Sequence, residues 1–170
     1  AAFHASLDYA KVRPQGRNIS DKEPNRPQVP IIQHADVKRM LLVQKSITEG
    51  SLALLIFCGL LGDQVSQETD PLKKGELEAL LDLLIPIAKS YPSEMGLQST
   101  SMAIQVLGGA GYTTDFPVEQ YYREARIHPI HEGTTGIHGL DLLGRKLLLH
   151  EGLGWKMLQK ELGMTIREAK

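Results

Sequence analysis

Met40, Ile47, Leu54 and Leu61 recur at intervals of seven residues, and Val37, Leu41, Leu55 and Cys58 fill adjacent positions on the same side. Two turns of an α-helix nearly complete that interval, so these side chains form one stripe and call for a partner along its length. The spacing predicts a helix of roughly 27 residues from Asp36, about 40 Å long at 1.5 Å per residue. Gly50, Ser51, Ala53 and Gly59 give it places where a neighbouring helix can come close.

Proline and glycine punctuate the rest. Residues 1–13 read as the end of a helix stopped by Pro14 and Gly16, since proline has no amide proton to give. Residues 16–33 form a polar connection holding Pro24, Pro27 and Pro30. It reads as an ordered loop, because Val29, Ile31 and Ile32 need an apolar destination. After Asp70-Pro71, Leu77, Leu80, Leu81, Leu84 and Ala88 show amphipathic helix spacing, with Pro86 as a kink. Pro92-Ser93-Glu94 reads as a new helix start capped by Ser93. Gly108-Gly109 end that helix, and residues 108–116 form a glycine-rich turn. Further helices are expected at about 117–126, from Ile137 to about His150, and at 155–161 beyond Gly152 and Gly154. No strand alternation, repeat or low-complexity tract is present. The expectation is an all-α chain, an up-and-down four-helix bundle with short extra helices, in one domain over 1–170.

Composition narrows function by exclusion. Nineteen Lys+Arg against twenty Asp+Glu leave a net charge of -1, with no electrostatic footprint for nucleic acid or an acidic membrane. Cys58 is the lone cysteine, which excludes a disulfide scaffold or cysteine zinc site. No apolar run approaches the ~20 residues of a bilayer span and no signal peptide is seen, so a cytoplasmic protein is expected. Ala1 in place of Met suggests a piece of something longer.

Three clusters carry possible chemistry. RIHPIHEGTTGIHG (residues 126–139) packs three histidines, a glutamate, two threonines and three glycines around a loop-to-helix junction. One reading is a plain helix start, with Glu132 favouring the dipole and Thr134 or Thr135 capping amides. A second is a metal site drawn from His128, His131, Glu132 or His138, although Pro129 interrupts the helix that would fix its geometry. A third is a catalytic carboxylate on a glycine-flanked loop; an apolar substrate raises a carboxyl pKa above ~4.3 and suits it to work as a base near neutrality. IQVLGGAGYTTDF (104–116) sets backbone amides where a phosphate or adenine can approach, or is only a helix end and turn. Arg13 and Arg17 suit pyrophosphate or carboxylate, or are solvated arginines.

The order of these segments is more specific than any one of them. Tyr9-Ala10-Lys11 with the Arg-x-Gln-Gly stretch at 13–16, a long helix, IQVLGGAGY and YYREARIHPIHEGTTGIHG together resemble the carboxy-terminal helical domain of the acyl-CoA dehydrogenases. The resemblance covers residues 1–150. VPIIQHADVKRMLL (29–42) and the tail beyond Arg145 are similar to the longer bacterial members, such as 3-methylmercaptopropionyl-CoA dehydrogenase. It implies FAD-dependent dehydrogenation of an acyl-CoA between C2 and C3, with electrons passed to an electron-transfer flavoprotein, in a homodimer or homotetramer. It places the catalytic base at Glu132 and substrate against Gly133. Cofactor contacts fall on Arg13 and on Gln105, Val106, Leu107, Gly108 and Gly109, which the resemblance sets against a neighbouring subunit's FAD, and on Thr134, Thr135 and Gly136, which line the flavin; no metal is implied. The chain departs from the family pattern at Gln15, where Phe is common, at His131 for Tyr, and at Gly136 for Gln or Asn. The amino-terminal helical and middle β domains of the family are absent, and residues 151–170 read as the start of a carboxy-terminal extension. The chain alone is therefore expected not to turn over substrate. A scaffold role with Glu132 unused is the alternative, and a DNA-associated relative is disfavoured by the charge.

Overall fold

Ala-rich sequence ahead of Pro14 folds as α1 (Ala2–Val12), and Ser6 and Ala10 on it are fully buried. Pro14 and Pro30 form an isolated antiparallel bridge. Around it the amides of Gln15 and Ile31 donate to the carbonyls of Val29 and Arg13 at 3.0 and 2.9 Å. The connection is thus closed at its base, with Ile31 delivered to the core. The computed structural model describes residues 1–170 apart from Ile19, Asp21, Lys22, Pro24 and Lys170; of the expected prolines, Pro24 lies outside the described residues.

The seven-residue stripe becomes α2 (Ala35–Gln67), 33 residues long. It exceeds the expected ~27 residues because the chain meets no proline before Pro71. An 18-residue window of α2 has a mean hydropathy of 1.4, so by length and composition it is apolar enough to cross a membrane, contrary to the expectation from the sequence. Only 17% of that window is buried, although α2 sends Met40, Leu41, Ile47 and Leu61 inward.

The next helix differs from expectation. α3 runs unbroken from Pro71 to Leu107 through Pro86 and Pro92, so Ser93 starts no helix. A proline inside a helix costs about 3 kcal/mol. Burial of Leu80, Leu83 and Leu84 on one side and of Ala103, Val106 and Leu107 on the other offsets it, at about 1.5–3 kcal/mol per large apolar side chain.

Beyond Gly108 the glycine-rich segment is not all turn: α4 (Gly109–Tyr112) is one helical turn, and α5 (Val118–Ala125) follows Pro117. The single helix expected from Ile137 to His150 is instead α6 (Thr135–Asp141), a π segment (Leu142–Lys146) and a 3₁₀ segment (Leu149–Gly152). His150, Glu151 and Gly152 in succession take positive φ of 51°, 56° and 74°, which ends the helical run. α7 (Leu153–Glu168) is longer than the expected 155–161. Gly154, expected as a separator, lies inside α7, where an added Cβ would strike the Ala79 carbonyl.

The described residues contain no strand, and the all-α expectation holds. Two compact units divide the chain: Ala1–Gly50 with Ser93–His128, and Ser51–Pro92 with Pro129–Lys170. In the first, Ala10, Ile31, Met40, Leu41, Ala103, Val106, Leu107 and Val118 form the core, so the start of α2 packs with the end of α3. Ser6 Oγ lies 3.0 Å from Gln44 Oε1, a buried polar pair joining α1 to α2. In the second, Leu61 packs with Leu80 and Leu84, with Met157 and Leu158 of α7 against them. The end of α2 thus meets the first half of α3.

Candidate active site

Within the second unit, the residues ahead of α6 turn sharply. Glu132 has φ +54° and Gly133 φ +92°. The first is strained for a residue with a Cβ and persists only where its surroundings over-determine it. Two side chains do so. His138 Nε2, on α6, donates to the Glu132 carbonyl at 3.1 Å, which fixes the proton on that nitrogen. Lys89 Nζ, on α3, donates to the Gly133 carbonyl at 2.7 Å. Consecutive carbonyls of the turn are thus held from two helices. Gly133 has no alternative, since a Cβ there would come within 2.9 Å of His138 Nε2.

The held main chain leaves the Glu132 carboxylate outside, 83% exposed, with His131 Nδ1 at 3.9 Å. Thr134 stands at the N-cap of α6 but its side chain makes no capping bond, so the helix-start reading is met in position and not in hydrogen bonding. Thr135 opens the helix, and an added Cβ at Gly136 would meet nothing within 4 Å. Among the described residues no three His, Cys, Asp or Glu side chains are grouped to hold a metal ion. Beyond α6, Arg145 donates to Asp141 at 2.6 Å. That hydrogen bond holds the Asp141 carboxyl below its ordinary range and pushes the guanidinium up. Lys146 Nζ pairs with Asp82 of α3 at 2.8 Å.

The other expected contacts lie in the first unit. Gln105, Gly108 and Gly109 are exposed, and added Cβ atoms at either glycine would meet nothing within 4 Å. Gly108 takes φ +61°, and its amide donates to Ile104 and Gln105 carbonyls at 2.9 and 3.2 Å. Val106 and Leu107 are 5% and 3% exposed, so their side chains belong to the core and only their main chain is available. Arg13 is exposed beside the Pro14 bridge. The structure brings Glu132, Gly133, Thr134 and His138 together in one unit; Arg13 and 105–109 belong to the other.

Residues 1–148 match the family model described as the acyl-CoA dehydrogenase C-terminal domain. The chain belongs to the acyl-CoA dehydrogenase family. It is 39% identical over 151 residues, 89% of its length, to 3-methylmercaptopropionyl-CoA dehydrogenase of Ruegeria pomeroyi. It is 38% identical over 152 residues, again 89%, to a butyryl-CoA dehydrogenase of Syntrophomonas wolfei. In each case the match covers 25% of the relative, so the chain spans about a quarter of the length of these dehydrogenases. Among solved structures, butyryl-CoA dehydrogenase of Megasphaera elsdenii shares the fold at a TM-score of 0.64 and 22% identity over 84% of this chain and 31% of that one. The helical domain of the acyl-CoA dehydrogenases is thus the fold observed.

The sequence singled out Glu132 and left Lys89 unremarked. The available signal was charge: Lys89 is the one cation between Gly75 and Leu107. A lone ammonium on an otherwise uncharged or acidic stretch of helix needs an acceptor.

Proposed function

We propose that the chain is the carboxy-terminal part of a flavin-dependent acyl-CoA dehydrogenase, with Glu132 as the base that takes the C2 proton of an acyl thioester. The observation that supports this reading is the exposed Glu132 carboxylate on a strained turn whose two successive carbonyls are held. A strained, over-determined backbone around an outward carboxylate serves presentation better than packing. The C2 proton is acidic because the resulting negative charge spreads onto the thioester oxygen. The Glu132 N–H is the donor this chain offers that oxygen, and such a donor acts where charge develops. Gly133 would meet substrate through its main chain, the space a Cβ would take being filled by His138.

Gly108, Gly109 and Gly136 are exposed, so their main chain is open to a flavin nucleotide such as FAD. Arg13 would hold the pyrophosphate and the main chain at 105–109 the adenine end of a neighbouring subunit's FAD, while Thr134, Thr135 and Gly136 would line this chain's own flavin. FAD supplies the hydride acceptor for C3 and the route for electrons to an electron-transfer flavoprotein. α2 exposes Leu52, Leu55, Ile56 and Leu60, an apolar face suited to a second copy in a homodimer or homotetramer. That face also favours the second reading, a helical assembly module, and the two separate on one substitution.

In the full-length protein, Glu132→Gln should slow flavin reduction by acyl-CoA roughly 10²–10⁴-fold, the range of a lost general base, while flavin stays bound. Activity near that of the parent moves the base elsewhere and leaves the assembly reading. The 170-residue chain alone should not reduce FAD with an acyl-CoA; stoichiometric binding and reduction would overturn that.

A further inference from the structure

Lys89 is not part of the acid–base chemistry just described, yet it reaches across from α3 to the main chain of the catalytic turn. Its ammonium is half-buried and lies 2.7 Å from the carbonyl of Gly133, the residue immediately after Glu132. One side of the turn is tied to its own helix by His138, six residues on from Glu132. Lys89 makes the tie to a different element. Seven residues before it on α3, and so on nearly the same face, Asp82 accepts from Lys146 at 2.8 Å, beyond the far end of α6. α3 therefore pins the segment from Gly133 to Lys146 at both ends, by one ammonium on a carbonyl and one carboxylate on an ammonium.

The position of the first pin matters most. Glu132 and Gly133 carry φ of +54° and +92°; the peptide between them carries the Glu132 carbonyl held by His138, and the next peptide carries the Gly133 carbonyl held by Lys89. Without a donor on the Gly133 carbonyl, the Gly133–Thr134 peptide can rotate, and the positive φ at Glu132, which a residue with a Cβ disfavours, loses one of its two restraints. We propose that Lys89 is a positioning residue: by donating to the Gly133 carbonyl it holds the left-handed Glu132–Gly133 turn that aims the base at the C2 proton. This rests on the reading of Glu132 as the base.

The test uses the full-length flavoenzyme as Lys89→Met, which removes the donor at similar volume, and Lys89→Arg, which keeps one. Single-turnover flavin reduction is followed with a C2-protiated and a C2-deuterated acyl-CoA. Lys89→Met should retain flavin stoichiometrically, reduce it about 10- to 100-fold more slowly and show a larger C2 isotope effect, since proton removal becomes the slower event. Lys89→Arg should return to within about five-fold of the parent. Misplacement of a reacting group by about 1 Å is worth up to ~10²-fold, which sets the scale. Parent-like reduction by Lys89→Met, or equal slowing in Met and Arg with an unchanged isotope effect, overturns the proposal in favour of packing. Should Lys89→Met not fold, Lys89→Gln replaces it. That side chain is one bond shorter and does not span the gap, so the same slowing is expected and a parent rate overturns the proposal. The Glu132→Gln variant is run alongside. If it stays active the base assignment has failed; if it is dead while Lys89→Met is normal, the positioning role alone has failed.

Discussion

The chain contains two glycine-bearing segments of similar composition, 104–112 and 131–139, and they are held in opposite ways. The first is secured by its own neighbours: Gly108 donates back to Ile104 and Gln105, Val106 and Leu107 are sunk in the core, and buried Gly111 sits against the Ile104 carbonyl. The second has little core beneath it and is secured by side chains, His138 from six residues ahead and Lys89 from 44 residues back. A segment held by local backbone bonds keeps its shape when distant residues change. A segment held by a distant ammonium does not, and its conformation can be tuned by residues that never touch substrate.

That contrast can be broken most sharply at Gly133. Gly133→Ala combines an unfavourable φ of +92° with a Cβ 2.9 Å from His138 Nε2. Flavin reduction by acyl-CoA should then fall at least about 100-fold in the full-length enzyme, the scale of a misplaced reacting group, while the first segment is undisturbed. A rate within about ten-fold of the parent would show that the turn tolerates reshaping. At Gly111 the penalty should be in stability and not in the base: an added Cβ would sit 2.7 Å from the Ile104 carbonyl and 2.9 Å from Leu107 Cβ, an overpacking worth roughly 1–3 kcal/mol. Denaturant unfolding measures it. Gly108→Ala meets no atom within 4 Å but must adopt φ 61° with ψ -138°, close to a region essentially reserved for glycine, at roughly 1–3 kcal/mol; if flavin occupies that space, flavin affinity falls as well. The smallest effect belongs to Asp141. Its carboxyl is held below the ordinary range by Arg145, so its contribution is present above the unfolded carboxyl range and is lost as pH falls through the lower folded value. Asp141→Asn should remove a small part of the acid limb of a stability-against-pH curve and leave neutral pH nearly unchanged.

Much of the helical layout was legible, because the spacing of Met40, Ile47, Leu54 and Leu61 and the stops at Pro14 and Asp70-Pro71 are local signals. The misreadings share one cause, which is that packing overrides local preference. Pro86 and Pro92 argue for a break in any isolated peptide, yet α3 continues because residues on both sides of them are buried. The spacing of Ile137, Leu140, Leu143, Leu147 and Leu148 argues for one helix, whereas α6 gives way to a π segment and then to positive φ at His150 and Glu151. Gly154 has the look of punctuation and is a contact point under α7.

The sequence by itself determined the family and the all-α class and singled out Glu132, since each is written in residues close together along the chain. The tertiary structure decided which glycines are obligatory, which prolines are harmless and which cation reaches the Gly133 carbonyl. Those depend on burial and on distances between residues far apart in the chain, and only folding sets both.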